Sequence, residues 1–183
     1  MDDDEFERIV EETADYAGKD SFTPGEYQQL KDAVFADAFQ EFLRAEATYF
    51  VLGKYDDADR ERRLEVVKRE LGGPARYAFL MRDIPEGWEF WPVKFQILAS
   101  RAAWIVPVLE DSDGSHHWES GNLYQDRYRS KVYVLKREYE TEAAEHEHFS
   151  AMVSHFVDIL DRDGRVCHWT SEQELTDCAG DVP

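Results

Sequence analysis

The stretch Ala103–Gly121, AWIVPVLEDSDGSHHWESG, decides how this chain is read. Trp104 to Leu109 is a short apolar run rich in β-branched residues, which has the length and composition of a buried strand. Glu110, Asp111, Ser112, Asp113 and Gly114 then supply turn chemistry. The residues after that turn read as a helix start, with Ser115 as N-cap and Glu119 in or near the first turn. A carboxylate there sits beside unpaired N–H groups and the positive end of a helix, which favours its charged form. Just past the carboxyl end of a strand is where open α/β sheets bind ligands.

Outward from that stretch, strand and helix patterns alternate. Met1 to Ala17 carries a weak helical pattern, broken at Gly18 to Ser21. Thr23, Pro24 and Glu26 then form a helix-start signature, and Phe22 and Tyr27 are spaced for a hydrophobic staple. The helical spacing continues through Leu30, Val34, Phe35 and Phe42 to about Ala47. Thr48 to Leu52 is the first strand, ending at Gly53-Lys54-Tyr55. A helix capped by Asp56 to Asp59 stops at Gly72-Gly73-Pro74, and Arg76 to Met81 is the second strand, ending at Arg82-Asp83. Trp91 to Ala102 reads as a helix leading into the third strand, where Pro107 removes a ladder donor and predicts a bulge or shifted boundary. A helix from Glu119 to about Ser130, a strand over Lys131 to Arg137, one long helix from Thr141 to about Asp163, a strand over Val166 to Trp169 and a short last helix near Leu175 complete the pattern. The tail beyond Cys178 is expected to be loose.

Strands separated by helices imply βαβ units. The expected fold is a three-layer, doubly wound α/β domain with a mostly parallel five-stranded sheet in the flavodoxin-like order 2-1-3-4-5. Residues 1–47 would form an N-terminal helical extension and residues 48–183 the α/β domain. In that order the switch point lies between the first and third strands. One crevice would then gather Gly53, Lys54 and Tyr55, Arg82 and Asp83, and Asp113, His117 and Glu119.

The charge bounds the partners. Lys plus Arg number 21 against 40 Asp plus Glu, a net charge of −19. A phosphate backbone or an anionic membrane surface would be repelled, so nucleic acid and membrane are not expected partners. The acid is spread along the chain, and Arg outnumbers Lys two to one. That distribution resembles proteins of salt-in halophiles and speaks of habitat more than of a functional acidic face. Cys167 and Cys178 do not make a disulfide framework in a chain this size. The acidic start, MDDDEFERI, is no secretory leader, so a soluble cytoplasmic protein is expected.

These residues carry a resemblance. A buried strand, a polar glycine-containing loop and an aromatic-Glu-x-Gly helix start resemble the nucleoside 2-deoxyribosyltransferase family, and TIR-like nucleotide-cleaving domains share the layout. In that family the strand ends in V-x-D or V-x-E, and a Phe/Tyr-Glu-Leu-Gly signature supplies the nucleophile. Trp118-Glu119-Ser120-Gly121 stands at that place, Asp113 sits in the matching loop, and Gly53-Lys54-Tyr55 resembles the family's first strand end. The likeness spans roughly Thr48 to Trp169. Ser120 departs from the usual Leu, and Ala102-Ala103 replaces a Ser-Asp step that contributes ligand contacts.

The resemblance implies cleavage or transfer at the N-glycosidic bond of a nucleoside or nucleotide, with Glu119 as nucleophile. Asp113 or Asp83 would protonate the departing base. Lys54, Arg82 and the amides after Gly53 could bind a phosphate, and Tyr55 could stack on a base. The blander roles are a capping carboxylate, surface cations and a packed aromatic. Neither cofactor nor metal is expected. His146 and His148 point to different sides of a helix, and His116 and His117 lack a third ligand. Walker, dinucleotide and G-x-S-x-G motifs are absent from the sequence. Two other classes stay open: a nucleotide-sensing module without turnover, and an interaction domain that forms a homodimer through the Phe22 to Ala47 helix.

Overall fold

The computed structural model of the chain describes residues 4, 7–8, 10–11, 22–34, 45–84, 91–111 and 123–183. Its elements in order are α1 (Pro24–Val34), β1 (Ala47–Leu52), α2 (Ala58–Leu71), β2 (Arg76–Leu80), a 3₁₀ turn (Met81–Asp83) and α3 (Trp91–Arg101). After these come β3 (Trp104–Leu109), α4 (Asp126–Arg129), β4 (Val134–Arg137), α5 (Glu142–His148), α6 (Ala151–Arg162), β5 (Val166–Trp169) and α7 (Glu172–Gly180). The sheet runs β2-β1-β3-β4-β5, and every pairing in it is parallel. This is the flavodoxin-like order expected from the sequence, with helices on both faces.

Alternation along the strands builds the two cores, because successive side chains point to opposite faces. Phe50, Phe79, Ile105, Leu109 and Val134 meet Phe95 and Leu98 of α3 and Val153, Phe156 and Leu160 of α6. Tyr49, Val51, Leu80, Val106, Leu135 and Trp169 meet Leu64, Val67 and Leu71 of α2 and Leu175 and Ala179 of α7. Across β1 and β2 the paired residues Phe50 and Phe79 stack with ring centroids 5.0 Å apart. The helix-start signature at α1 forms as expected: Glu26 accepts from the Thr23 amide at 2.8 Å while its own amide donates to Thr23 Oγ1 at 3.3 Å. Phe22 and Tyr27 pack against the first core. Residues 35–44, which hold the rest of the proposed dimer helix, lie outside the described residues.

Four local expectations are corrected. Pro107 causes neither bulge nor shift. Ile105 faces Val132 and Val108 faces Leu135, which is the same register on either side of the proline. Proline costs one rung only, because the Ile105 amide donates toward β4 and a period of two aims the missing donor of Pro107 the same way. The long helix after Thr141 is two helices. Ser150 accepts from the Val153 amide and restarts the chain as α6, while Phe149 between them is buried. Of the helix expected from Glu119 to Ser130, the described part is a single turn, Asp126–Arg129. Finally, the tail is docked: Val182 is buried, and Tyr49 Oη donates to the carbonyl of Pro183 at 3.0 Å.

No helix among the described residues is long and apolar enough to cross a membrane. Cys167 of β5 and Cys178 of α7 form a disulfide, a local clasp between the edge strand and the helix that covers it. Closing so short a loop restricts the unfolded chain, so reduction should lower the unfolding free energy by about 2–3 kcal/mol. Urea denaturation with and without reductant measures this; an unchanged midpoint would assign the clasp no stabilising role.

Candidate functional site

Parallel strands all end on one edge of the sheet, and the β1/β3 switch point opens there. β1 ends at Gly53, where an added Cβ would come within 2.4 Å of Leu64 Cδ2. A larger residue there would make the Leu64 side chain shift. α2 starts at once, its amides at Asp59 and Arg60 donating to the Asp57 side chain at 2.8 and 2.9 Å. The Arg60 amide is the main reason the Asp57 carboxyl titrates below the usual carboxylate range. Capping in this way aims Arg60 and Arg63, near the helix start, at the end of the sheet.

What they meet is the end of β3. Glu110 and Asp111 directly succeed the strand and are only 7% and 6% exposed. Asp111 accepts from Lys54 Nζ and, at 2.5 Å, from Arg60 Nη2. Glu110 accepts two bonds from Arg63, at 2.9 and 2.7 Å, and one from Arg137 Nη1 at 3.0 Å. Tyr139 Oη donates to the Glu110 carbonyl at 2.5 Å. Carboxylates this buried need paired cations, and here four converge from the β1 loop, α2 and the end of β4. Burial pushes the Arg60 guanidinium down, but the charges of Asp111, Asp56 and Glu110 outweigh it and leave its pKa raised. The cleft between these groups is lined by Lys54, Arg60, Leu64, Val108, Glu110 and Asp111.

Of the residues singled out in the sequence, Lys54 lines this cleft, and Gly53 precedes it against the side chain of Leu64. Tyr55 is 40% exposed, and the Arg82 guanidinium lies 5.1 Å from its ring centroid. Arg82 itself bonds to Glu61 and Glu65 of α2, and these hydrogen bonds raise its pKa. Asp83 accepts from the Leu80 amide at 2.8 Å and from Lys68 at 2.7 Å, which is a turn-capping role. Asp113, His117 and Glu119 lie outside the described residues. His148 stacks on Tyr139 at 4.0 Å, and no metal-binding group of His, Cys, Asp and Glu occurs among the described residues. Sequence reasoning missed Arg60, Arg63, Glu110, Asp111 and Arg137. The available signal was a pair of arginines three apart near a capped helix start, ahead of a strand ending in adjacent acids.

Residues 21–159 match DUF8170, a family of unknown function. The chain belongs to that family. The matched span carries both sides of the cleft, from Lys54 through Arg137. No curated protein matches the chain. Among solved structures, this family member is similar to a conserved protein from Enterococcus faecalis V583, with a TM-score of 0.50 and 13% identity over 74% of this chain and 98% of that one. That likeness shows the shared fold.

The ion network predicts an asymmetry. Glu110→Gln leaves two guanidinium groups facing a neutral amide and should cost about 2–4 kcal/mol, whereas Arg137→Gln, at the more exposed end, should cost under about 1 kcal/mol. Urea denaturation of the two variants compares them; equal costs would show that burial does not set the network's energetics. Tyr139 gives a pH signature. Burial, more than any neighbouring charge, raises its pKa above the ordinary 10.0. The unfolded chain therefore ionises first, and this share of stability, full below pH 10.0, is lost as pH rises through the folded pKa. Tyr139→Phe should flatten the decline of melting temperature above pH 10.0; an unchanged slope would assign the decline to other groups.

Proposed function

We propose that the chain cleaves or transfers at the N-glycosidic bond of a nucleoside or nucleotide held at the β1/β3 switch point, with Glu119 as nucleophile. The supporting observation is the contact of Lys54 with Asp111, which brings the loop after β1 against the end of β3. Asp111, which lines that cleft, is the last described residue before the stretch of sequence that carries Asp113, His117 and Glu119. Ligands of doubly wound sheets bind at this place.

The chemistry needs few groups. As the bond to the base lengthens, positive charge develops on the sugar, and a fixed carboxylate stabilises it and can close a covalent sugar ester. Water or a second base then opens the ester at the same carbon. The departing base needs a proton. Asp83 is committed to the Leu80 amide and Lys68, so this role falls to Asp113. Residues 1–47 serve as a helical extension to the α/β domain in this reading.

A second reading, a nucleotide-sensing module without turnover, is favoured by one observation. Asp111, the acid nearest the strand end with a place in the cleft beside Lys54, is tied by two cations, an arrangement suited to binding rather than to moving protons. A panel of nucleosides and nucleotides, assayed in high salt for released base, separates the two. Wild type should release base from at least one member, and Glu119→Ala should lower that rate by roughly a thousandfold or more with an unchanged circular dichroism spectrum. A variant that retains turnover would reject Glu119 as nucleophile. Stabilisation by a nucleotide with no base released would support the sensing module.

A further inference from the structure

We propose that the cleft between β1, β3 and α2 is a phosphate-monoester site, in which a ligand's dianion takes Lys54 and Arg60 over from Asp111. This assigns the charged group of the nucleotide proposed for the switch point, and it rests on that proposed function only for the rest of the molecule.

The charges sort into two halves. Glu110 is matched by a two-point pairing with Arg63 and a third bond from Arg137, so these guanidiniums are committed to holding the strand end. Asp111 is different. Its single negative charge faces an ammonium and a guanidinium that arrive from two separate elements, Lys54 from the β1 loop and Arg60 from α2. Asp56 and Asp57 also touch Arg60, at 2.9 and 3.2 Å, but both are more than half exposed and are screened by water. A dianion placed against Lys54 and Arg60 attracts both cations more strongly than the single charge of Asp111 does. It also offers Arg60 the paired oxygens that a guanidinium fork matches. Leu64 and Val108 give the cleft an apolar lining beside these charges. Arg82, the other cation named from the sequence, is taken up by Glu61 and Glu65 and lies outside this arrangement.

Asp111 then acts as an internal stand-in that keeps two cations in place in a strongly acidic protein until a better-matched anion arrives. A purely structural ion pair would not respond to ligand in this way. Titration calorimetry of the full chain, at a salt concentration where it is folded, uses three probes: inorganic phosphate, a nucleoside 5′-monophosphate and the matching nucleoside. The monophosphate should bind at least about tenfold more tightly than the nucleoside, and Lys54→Met and Arg60→Gln should each remove most of that advantage. Asp111→Asn should raise the affinity for inorganic phosphate severalfold, because a competing carboxylate is gone. Should Asp111→Asn not fold, Arg60→Lys serves in its place: it should keep only part of the monophosphate's advantage, because the charge stays while the fork is lost, where Arg60→Gln loses most of it, and an advantage as large as that of wild type in both variants would overturn the site. Equal binding of nucleoside and monophosphate by wild type, or phosphate affinity lowered or unchanged by Asp111→Asn, would overturn the site. Base release without preference for the phosphorylated substrate would also overturn it while leaving glycosidic cleavage intact. Preference without base release does the reverse.

Discussion

Two adjacent carboxylates at the end of β3 set the terms for the carboxyl edge of this sheet. Glu110 and Asp111 are almost fully buried, and a buried charge without a partner is too costly for a folded chain to tolerate. Their partners come from three places, each distant in sequence from the end of β3: Lys54 beyond β1, Arg60 and Arg63 on α2, and Arg137 at the end of β4. Satisfying these two acids therefore fixes how the β1 loop, the start of α2 and the β4 end sit relative to β3. The order 2-1-3-4-5 makes that possible, since only β1 and β4 flank β3. Topology supplies the neighbours, and charge holds their ends together.

Much of the fold was legible because it rests on period and composition. Trp104 to Leu109 is a strand on its apolar run alone, and Gly72-Gly73-Pro74 stops α2 on local backbone chemistry. The cap at Thr23 needs nothing beyond four consecutive residues. The misreadings share a cause, which is tertiary context. Ser150 sits within an otherwise helical pattern, and its choice to restart the helix goes with the burial of Phe149 beside it. Val182 looks like a loose tail residue until Tyr49, on the interior strand β1, meets the chain end. Pro107 reads as a defect because the sequence does not say which neighbour a strand amide faces.

The candidate site was half legible for the same reason. Gly53 and Lys54 come directly after a strand, so topology alone places them. The arginines of α2 were not singled out, since helical spacing puts Arg60, Arg63, Leu64 and Val67 on neighbouring positions without saying where the apolar face ends. Only the buried acids on β3 give them a reason to lie inward. Arg82 and Asp83 also come after a strand, but β2 is the edge strand, and both side chains bond to residues of α2.

The rigidity of the cleft has a source outside the matched family span. α2 is held between the sheet and α7: Leu64 and Val67 face the strands, and Arg62 on the other side bridges to Glu172 at the start of α7. α7 is itself fixed, by a capping box at Ser171 and Glu174 and by the clasp from Cys178 to Cys167. The Glu174 carboxyl sits below its ordinary pKa, chiefly through the hydrogen bond it accepts from the Thr170 hydroxyl. A helix so buttressed presents Arg60 to the end of β3 from a fixed base. Pre-organised cations cost little to keep in place when an anion arrives, because their positions were settled during folding. In a protein of net charge −19 that matters doubly. The field around the molecule repels anions in general, so the anion site proposed for this cleft depends on a few positive groups fixed at one edge.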